Sequence, residues 1–396
     1  MLRPDSWGLT ILLGALTAMT SLAVDMSLPA LPTMARNFDA TPDQVQLTLS
    51  LFMVGYAAGQ LFCGPLSDRF GRRRMLLAGL AIYTLAGFAC AASPRLEVLV
   101  TARLVQGFGA CVGPILGRAV VRDRMTGARA AQTLSYITVT MSLAPMVAPL
   151  LGGFLVSRFG WPAIFLTLGT IGLALGIATF LGFAESLREP DPHALRPARL
   201  ARNAATFFGN RRTLGFTLVS AFVFSGLFAF LSGSPFVLIE IYGVPADAFG
   251  FYFALSALGL MAGAFANGRL VRRFRGETVM QAAFVLLLAS GAALLVVGWT
   301  GAGGAIGIMV PVMTYVSAMA MIQPNSIAAA MEPMPHMAGM AASLLGAIQM
   351  ASGSLSGLVV ASLYSGTPMA MTGTIATVGL GAVVAYFLVV GRALDP

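Results

Sequence analysis

Twelve long apolar segments divide the sequence, and each is long enough to cross a lipid bilayer as a helix. About 20 apolar residues per helix are needed to span the hydrocarbon core. Only 10% of the residues are charged, against about 25% in an average soluble domain, so the chain cannot cover a water-exposed surface of ordinary size. The sequence therefore predicts an all-α membrane protein with 12 transmembrane helices. The predicted spans are Trp7–Leu28, Gln44–Phe62, Met75–Ala92, Leu96–Val120, Ala130–Val156, Trp161–Ala184, Thr213–Ile239, Ala246–Gly268, Val279–Trp299, Ala305–Asn325, Met337–Leu363 and Met369–Val390.

The spans form two groups of six, separated by a proline- and arginine-rich connector from Glu185 to Arg212. We therefore predict two pseudo-symmetric six-helix bundles, residues 1–187 and 212–396, joined by a cytoplasmic central loop at 188–211. The turn Gly64–Leu76 after the second span and the turn Gly268–Met280 after the eighth share glycines, leucines and an Arg-Phe pair. Two similar halves in the same orientation predict parallel repeats, with a substrate site between them near the midplane.

All 24 basic residues are arginine, which excludes both a lysine Schiff base and a lysine-containing phosphate loop. Nineteen of them, including Arg3 and Arg392, fall in connections on one side of the membrane, whereas only Arg36, Arg95 and Arg158 fall on the other. Because basic residues are retained on the cytoplasmic side, we expect both termini and the central loop in the cytoplasm. The arginines form short clusters rather than a basic face, so nucleic acid is not a predicted partner.

The cysteines Cys63, Cys90 and Cys111 lie inside apolar runs without the spacing of metal ligands, and the chain has two histidines. We interpret the three as buried unpaired thiols and expect no metal site. The sequence shows no nucleophile–base pair or metal cluster at membrane depth, so it does not predict an enzyme. The first apolar segment continues past any small-residue cleavage site, which favours a spanning helix over a signal peptide.

Four motifs recur in one known family. They are GPLSDRFGRRR at Gly64–Arg74, RLVQGFG at Arg103–Gly109, DMSLPALP at Asp25–Pro32 and APMVAPLLGG at Ala144–Gly153. At these residues the chain resembles the major facilitator superfamily, and within it the drug:proton antiporters with 12 spans. The fifth-span motif departs from the pattern, because alanines stand where two glycines are usual.

Three further stretches, Phe224–Val237, Phe249–Leu255 and Pro335–Gly339, are similar to the Bcr/CflA branch of bicyclomycin and chloramphenicol resistance exporters. The resemblance implies the fold of the superfamily and proton-coupled efflux of small amphiphilic drugs by alternating access. It also implies a multi-pass monomer in the bilayer of the bacterial inner membrane, with no cofactor because the proton gradient drives transport.

Other functions stay open on the residues alone. The main alternative is a proton-coupled exporter of a small metabolite such as an amino acid. A proton-coupled importer is disfavoured by the proline- and glycine-rich fifth span. A passive channel is disfavoured by the duplicated halves and by the charges inside the membrane.

Asp25 and Arg103 lie inside predicted spans, where charge is rare and usually functional. Asp25 lies about 18 residues into the first span and Arg103 about 7 residues into the fourth, so at 1.5 Å per residue both are expected in the outer part of the bilayer at similar depth. We predict that Asp25 carries the coupling proton or exchanges it for substrate, and that Arg103 tunes its pKa. The alternatives are an interfacial Asp25 near the helix end and a structural role for Arg103.

A gating loop is predicted at Gly64–Arg74, because Gly64 and Gly71 permit a tight turn. The resemblance implies that this loop holds the two halves together on the cytoplasmic side in the outward-open state, with Arg122 and Asp123 as its partner. A plain positive-inside anchor is the alternative, although a carboxylate adds nothing to such an anchor. The predicted gating residues are Gly64, Asp68, Arg69, Gly71, Arg72, Arg73, Arg122 and Asp123.

A hinge is predicted in the fifth span, where Pro145, Pro149, Gly152 and Gly153 recur at about one-turn spacing. Prolines remove backbone hydrogen bonds and kink helices. Generic helix packing is the alternative.

Substrate contacts are predicted at Asp25 and in the second half. Phe224 and Phe228 are one helical turn apart and form an aromatic wall, unless they serve core or lipid packing. The amides of Gln323, Asn325 and Gln349 lie in apolar spans, where they bond either a drug or a neighbouring helix.

Overall fold

The computed structural model describes residues 7–187, 189, 191–192 and 196–391. Arg3, Arg188 and Arg392, which contribute to the predicted orientation, lie outside the described residues, as does the side chain of His336. The α-helices are α1 (Trp7–Asp25), α2 (Leu31–Asn37), α3 (Pro42–Phe70), α4 (Arg72–Ala91), α5 (Leu96–Ala110), α6 (Val112–Arg124), α7 (Gly127–Phe159), α8 (Pro162–Gly182), α9 (Pro197–Gly209), α10 (Arg211–Pro235), α11 (Phe249–Leu270), α12 (Gly276–Thr300), α13 (Gly304–Met331), α14 (Ala338–Ser362) and α15 (Met369–Ala385).

Twelve helical segments are long and apolar enough to cross a membrane, which confirms the predicted fold class and number of spans. The described residues form two compact units, the first drawn from Met1–Ala40 and Leu47–Ala201 and the second from Thr41–Gln46 and Arg202–Pro396. The boundaries predicted at 187/188 and 211/212 stay a prediction.

The first span is longer than predicted and is interrupted near its middle. α1 ends at Asp25, a short 3-10 helix covers Leu28–Ala30, and α2 continues to Asn37. Pro29 and Pro32 lack the N–H that a continuous α-helix requires, so the hydrogen-bond ladder changes here without the chain leaving the span. Asp25 ends a helix of 19 residues, but the span of 31 residues continues beyond it to Asn37.

The predicted gating loop is helical on both sides. α3 continues through Pro65 to Phe70, and α4 begins at Arg72. The apolar run of the second span ends at Phe62. The helix continues to Phe70, because polar side chains do not interrupt its backbone hydrogen bonds. The break comes at Gly71, whose φ of 97° favours glycine.

The fourth span is also divided, because Cys111 separates α5 from α6. The Cys111 thiol donates to the carbonyl of Phe108, with Sγ 3.1 Å from the oxygen. By contrast, α7 is one helix through both Pro145 and Pro149. The predicted hinge therefore lies within a continuous helix, and a hinge motion there stays a prediction.

Glycines bring the helices of the first unit into backbone contact. A methyl group added at Gly55 would overlap the carbonyl oxygen of Leu104, and one added at Gly107 would overlap that of Phe52. This reciprocal pair lets α3 and α5 approach to backbone distance, as small residues do in membrane helices. Gly152 of the predicted hinge lies equally close to the carbonyl of Met26, next to the break after α1.

We predict that Gly107→Ala destabilises the first unit, because the added methyl forces α3 and α5 apart. Overpacking of this kind costs about 1–3 kcal/mol, and it is measured as a lower thermal unfolding midpoint of the detergent-purified protein. Gly268→Ala is the matched control, since an added methyl there meets nothing within 4 Å and alanine is the better helix former. Equal midpoints for the two variants would contradict the close approach.

Candidate functional site

Asp25 is the carboxylate placed deepest within the described spans. It is 5% exposed. Each of the other carboxylates in these spans lies within two residues of a span end. Those are Asp43, Asp68, Glu97, Asp123, Glu240 and Glu277. Asp25 is therefore a buried acid inside a helical segment that can span a membrane, which is the setting where ionisable side chains usually serve function.

Arg103 is fully buried on α5. Its guanidinium donates to the carbonyl of Thr48 through Nε (3.2 Å), to the carbonyl of Ala23 (3.2 Å), and to Oε1 of Gln106 (2.8 Å). It also lies over the ring of Phe52, with Cζ 4.2 Å from the centroid, and 5.5 Å from that of Phe165. Carbonyl oxygens and aromatic faces thus stabilise the cation inside the bundle.

Asp25 and Arg103 are brought to the same level but are not paired. The bond from Arg103 ends on Ala23, two residues before Asp25, which agrees with the similar depth predicted. Among the described residues no ion pair joins the two side chains, and the prediction that Arg103 tunes the pKa of Asp25 stays a prediction. Asp25 can therefore gain or lose a proton without breaking a salt bridge, while the Arg103 charge is held nearby.

The gating residues form a compact group around Arg72, which we call the Arg72 cluster: Asp68, Arg72, Asp123 and Glu185. The Arg72 guanidinium bonds Oδ1 of Asp68 at 2.6 Å and Oδ2 of Asp123 at 3.0 Å. It also donates to the hydroxyl of Ser67. Arg72 is buried, so two carboxylates balance one cation whose polar atoms have little access to water. These two ion pairs connect α3, α4 and α6.

Glu185 completes the cluster, and sequence reasoning missed it. Its carboxylate accepts from the backbone N–H of Arg72 (2.9 Å) and of Arg73 (3.1 Å) at the start of α4. An acid at a helix N-terminus satisfies free N–H groups and interacts favourably with the helix dipole. Glu185 follows α8, 113 residues away in sequence from Arg72, so no local capping pattern could have revealed it.

Gly71 is required by the same contact. A methyl group added there would lie 2.5 Å from Oε2 of Glu185, in addition to the strain of a φ of 97°. The nearby Arg124 donates to the carbonyls of Ala184 (3.0 Å) and Glu185 (2.8 Å), which fixes the chain after α8.

The remaining predicted gating residues lie outside the Arg72 cluster. Arg73 donates to the carbonyl of Phe180 at 2.7 Å, the carbonyl of Gly64 accepts from Ser67 at 2.8 Å, and Arg69 stacks on the neighbouring ring of Phe70. Of the predicted partner pair, Asp123 bridges the helices, whereas Arg122 is 71% exposed and its Nε lies 4.0 Å from Asp123. The contact between the predicted loop and this segment is therefore made by the Arg72–Asp123 ion pair, and Arg122 takes little part in it.

In the second unit, Phe224 and Phe228 both lie on α10, and their role as an aromatic wall for a substrate stays a prediction. The rings of Phe224 and Phe228 lie 5.0 Å apart on α10. Two of the predicted amides are used for helix contacts: Asn325 donates to Oδ1 of Asn267 at 2.8 Å, and Gln349 donates to the hydroxyl of Ser220. Their interhelical bonds favour the packing alternative.

Gln323 differs from these two amides, because its Oε1 atom is buried and accepts no hydrogen bond from the residues that the structure describes. Of the three amides, it is the one whose side-chain oxygen is both buried and unbonded within the described residues.

A second ion cluster lies at the start of α10. Arg212 pairs with Glu332 at 2.8 Å and with Glu277 at 3.3 Å. The side chain of Asn210 caps α10 by accepting from the N–H of Thr213 at 2.9 Å. Glu332 and Glu277, for which sequence reasoning assigned no partner, thus join α10 to the start of α12 and the end of α13.

Residues 13–358 match the model of the Major Facilitator Superfamily. The chain is 34% identical to a bicyclomycin resistance protein homolog of Haemophilus influenzae, over 96% of each chain. It is 29% identical to multidrug resistance protein D of Escherichia coli K12, over 88% of this chain and 87% of that protein. The structure of a D-xylose-proton symporter, 14% identical, superposes with a TM-score of 0.73 over 96% of this chain and 97% of the symporter.

The chain belongs to the Major Facilitator Superfamily. It is a multi-pass membrane transporter and not an enzyme, and its relatives include multidrug resistance proteins. The resemblance found in its motifs is confirmed.

We predict that Glu185→Ala loosens the first turn of α4, because the N–H groups of Arg72 and Arg73 lose their acceptor. Loss of a capping side chain costs about 0.5–2 kcal/mol. Hydrogen–deuterium exchange of residues 72–75 should become faster, with less change in the second unit. Glu189→Ala removes an exposed acid of the same connector and serves as control. Unchanged exchange at residues 72–75 would show that Glu185 does not cap the helix.

Proposed function

We propose that this transporter couples the inward movement of protons to the export of small amphiphilic drugs of the bicyclomycin and chloramphenicol type. The observation that carries the proposal is Asp25, a buried carboxylate near the middle of a span that has no ion-pair partner among the described residues. The similarity to a bicyclomycin resistance protein homolog supports the substrate class. Transport needs no cofactor, because the proton gradient supplies the free energy.

In an alternating-access cycle, Asp25 binds a proton in one state and releases it in the other. In the outward-open state Asp25 binds a proton from outside, and a bound drug leaves. In the inward-open state water reaches the carboxylate, the proton departs to the cytoplasm, and drug binds in exchange. Because Arg103 is held by carbonyls and rings, its charge stays in place as Asp25 changes state.

The Arg72 cluster serves the conformational part of the cycle. In this proposal it keeps the cytoplasmic ends of α3, α4 and α6 in one rigid arrangement, against which the outward-open state closes. Two carboxylates and the N-terminus of α4 meet there. A loop that only keeps positive charge on the cytoplasmic side requires none of these contacts. The proposal places both termini and this cluster in the cytoplasm and the protein in the bacterial inner membrane, working as a monomer.

The first test of the function uses inverted membrane vesicles with an established proton gradient. Addition of chloramphenicol or bicyclomycin should dissipate the gradient in vesicles with the parent protein. With Asp25→Asn the response should fall to that of vesicles lacking the protein, because the amide cannot carry a proton. Asp43→Asn, an exposed acid at the start of α3, is the control and should respond like the parent.

A normal response of Asp25→Asn would remove Asp25 as the proton site. If the folded parent responds to neither drug but responds to an amino acid, drug export is rejected and a metabolite exporter replaces it.

A second prediction concerns Asp68→Asn. This substitution removes one of the two negative charges that bind Arg72, so we expect slower drug-driven proton movement with little change in drug affinity. Binding is measured on purified protein by calorimetry, and turnover in the same vesicles. Glu97→Gln, an exposed acid at the start of α5, is the control. A loss of affinity with unchanged turnover would place Asp68 in the binding site and contradict the gating role.

A further inference from the structure

A groove runs between α14 and α15, and α10 forms its floor. Its volume is about 450 Å³, and it is lined by these three helices and by Leu363 just after α14. The floor includes the small buried residues Ala221 and Ser225 of α10, whereas the rim carries large exposed apolar side chains, Leu355 and Leu363 among them. The groove is therefore a deep apolar channel and not a shallow depression between side chains.

The hydroxyl groups in the groove are already used. Ser356 donates to the carbonyl of Ser225 at 2.8 Å, Ser225 to that of Ala221 at 2.9 Å, and Thr374 to that of Ala370 at 2.7 Å. Because these protons bond the helix backbones, the lining offers a ligand methyl and methylene groups and few donors. A polar ligand would lose its hydration without replacement, so the lining selects a hydrocarbon chain.

The shape selects one extended chain. The lining runs along α14 from Ile348 to Leu363 and along α15 from Met369 to Val378, which at 1.5 Å per residue is roughly 22 Å and 14 Å. The exposed rim makes the groove continuous with the lipid-facing surface of spanning helices. One end lies at the turn between α14 and α15, where the hydroxyls of Ser365 and Thr367 are exposed.

We propose that this groove binds one acyl chain of a bilayer phospholipid, with the headgroup at the turn that carries Ser365 and Thr367. Both α14 and α15 pack extensively on α10 but far less on each other. The acyl chain fills the space between them and completes the packing of the three helices. The proposal concerns a lipid site and does not depend on which substrate is transported or on proton coupling.

The direct test labels the unmodified protein. A phosphatidylethanolamine with a photoreactive diazirine in one acyl chain is added to the protein in nanodiscs, irradiated, and the labelled peptides are identified by mass spectrometry. Label should concentrate in residues 348–363 and 369–378 and decrease when an unlabelled phospholipid is added. Label spread evenly over the lipid-facing helices would overturn the proposal.

A substitution tests the same site by filling it. Gly373 lines the groove, and a methyl group added there meets nothing within 4 Å, so Gly373→Leu projects its side chain into the space without a clash. Native mass spectrometry of the purified protein titrated with the same phospholipid should show about tenfold weaker retention of one lipid, a loss of about 1.4 kcal/mol.

Gly339→Leu is the matched control, because Gly339 lies at the start of α14 outside the groove and is equally open. It should retain lipid like the parent, and thermal unfolding confirms that both variants are folded. Equal retention by Gly373→Leu and Gly339→Leu would reject the acyl-chain site. Loss of drug binding by Gly373→Leu with normal lipid retention would instead assign the groove to the transported compound, which also rejects the proposal.

Discussion

Inside a bilayer no water is available to bind a polar group, so each buried donor or charge has to find its partner within the protein. Arg103 meets that demand with each of its three guanidinium nitrogens. Its guanidinium bonds two backbone carbonyls and an amide oxygen and lies over two aromatic rings. The carbonyl of Thr48 is within reach because α3 and α5 touch through Gly55 and Gly107. The close packing of α3 and α5 therefore also supplies an acceptor for the buried cation.

The two halves pair their charges differently, although their sequences resemble each other. In the first half Arg72, at the start of α4, binds two carboxylates, and Glu185 caps the same helix. When the two turns are aligned on their first glycine, Arg272 stands where the first half has Asp68. The second half instead gathers its carboxylates around Arg212 at the start of α10. The duplication thus preserves the helices and not the ion pairs, which is the asymmetry expected if one half carries the gate.

The number and class of the helices could be predicted from the sequence, because apolar length is a local property. Features that depend on distant contacts could not. Hydropathy placed the end of the first span at Leu28, since it cannot distinguish a change in helix type from a helix end. Glu185 was assigned to the connector, because its partner lies in another helix. The use of Asn325 and Gln349 in helix contacts likewise depends on residues far away in sequence.

The separation of Asp25 from Arg103 gives the proposed coupling its physical basis. If the carboxylate of a buried ion pair were protonated, its partner cation would stay buried without a counter-charge. An unpaired buried charge of this kind costs several kcal/mol. Here Arg103 is stabilised by carbonyls that do not change protonation, so Asp25 can titrate while the helices around it keep their bonds. The break between α1 and α2 follows immediately after Asp25, and it allows one half of the span to tilt against the other. Hydration of the carboxylate can then change with the conformation, which is what the proposed role of Asp25 as a proton carrier requires.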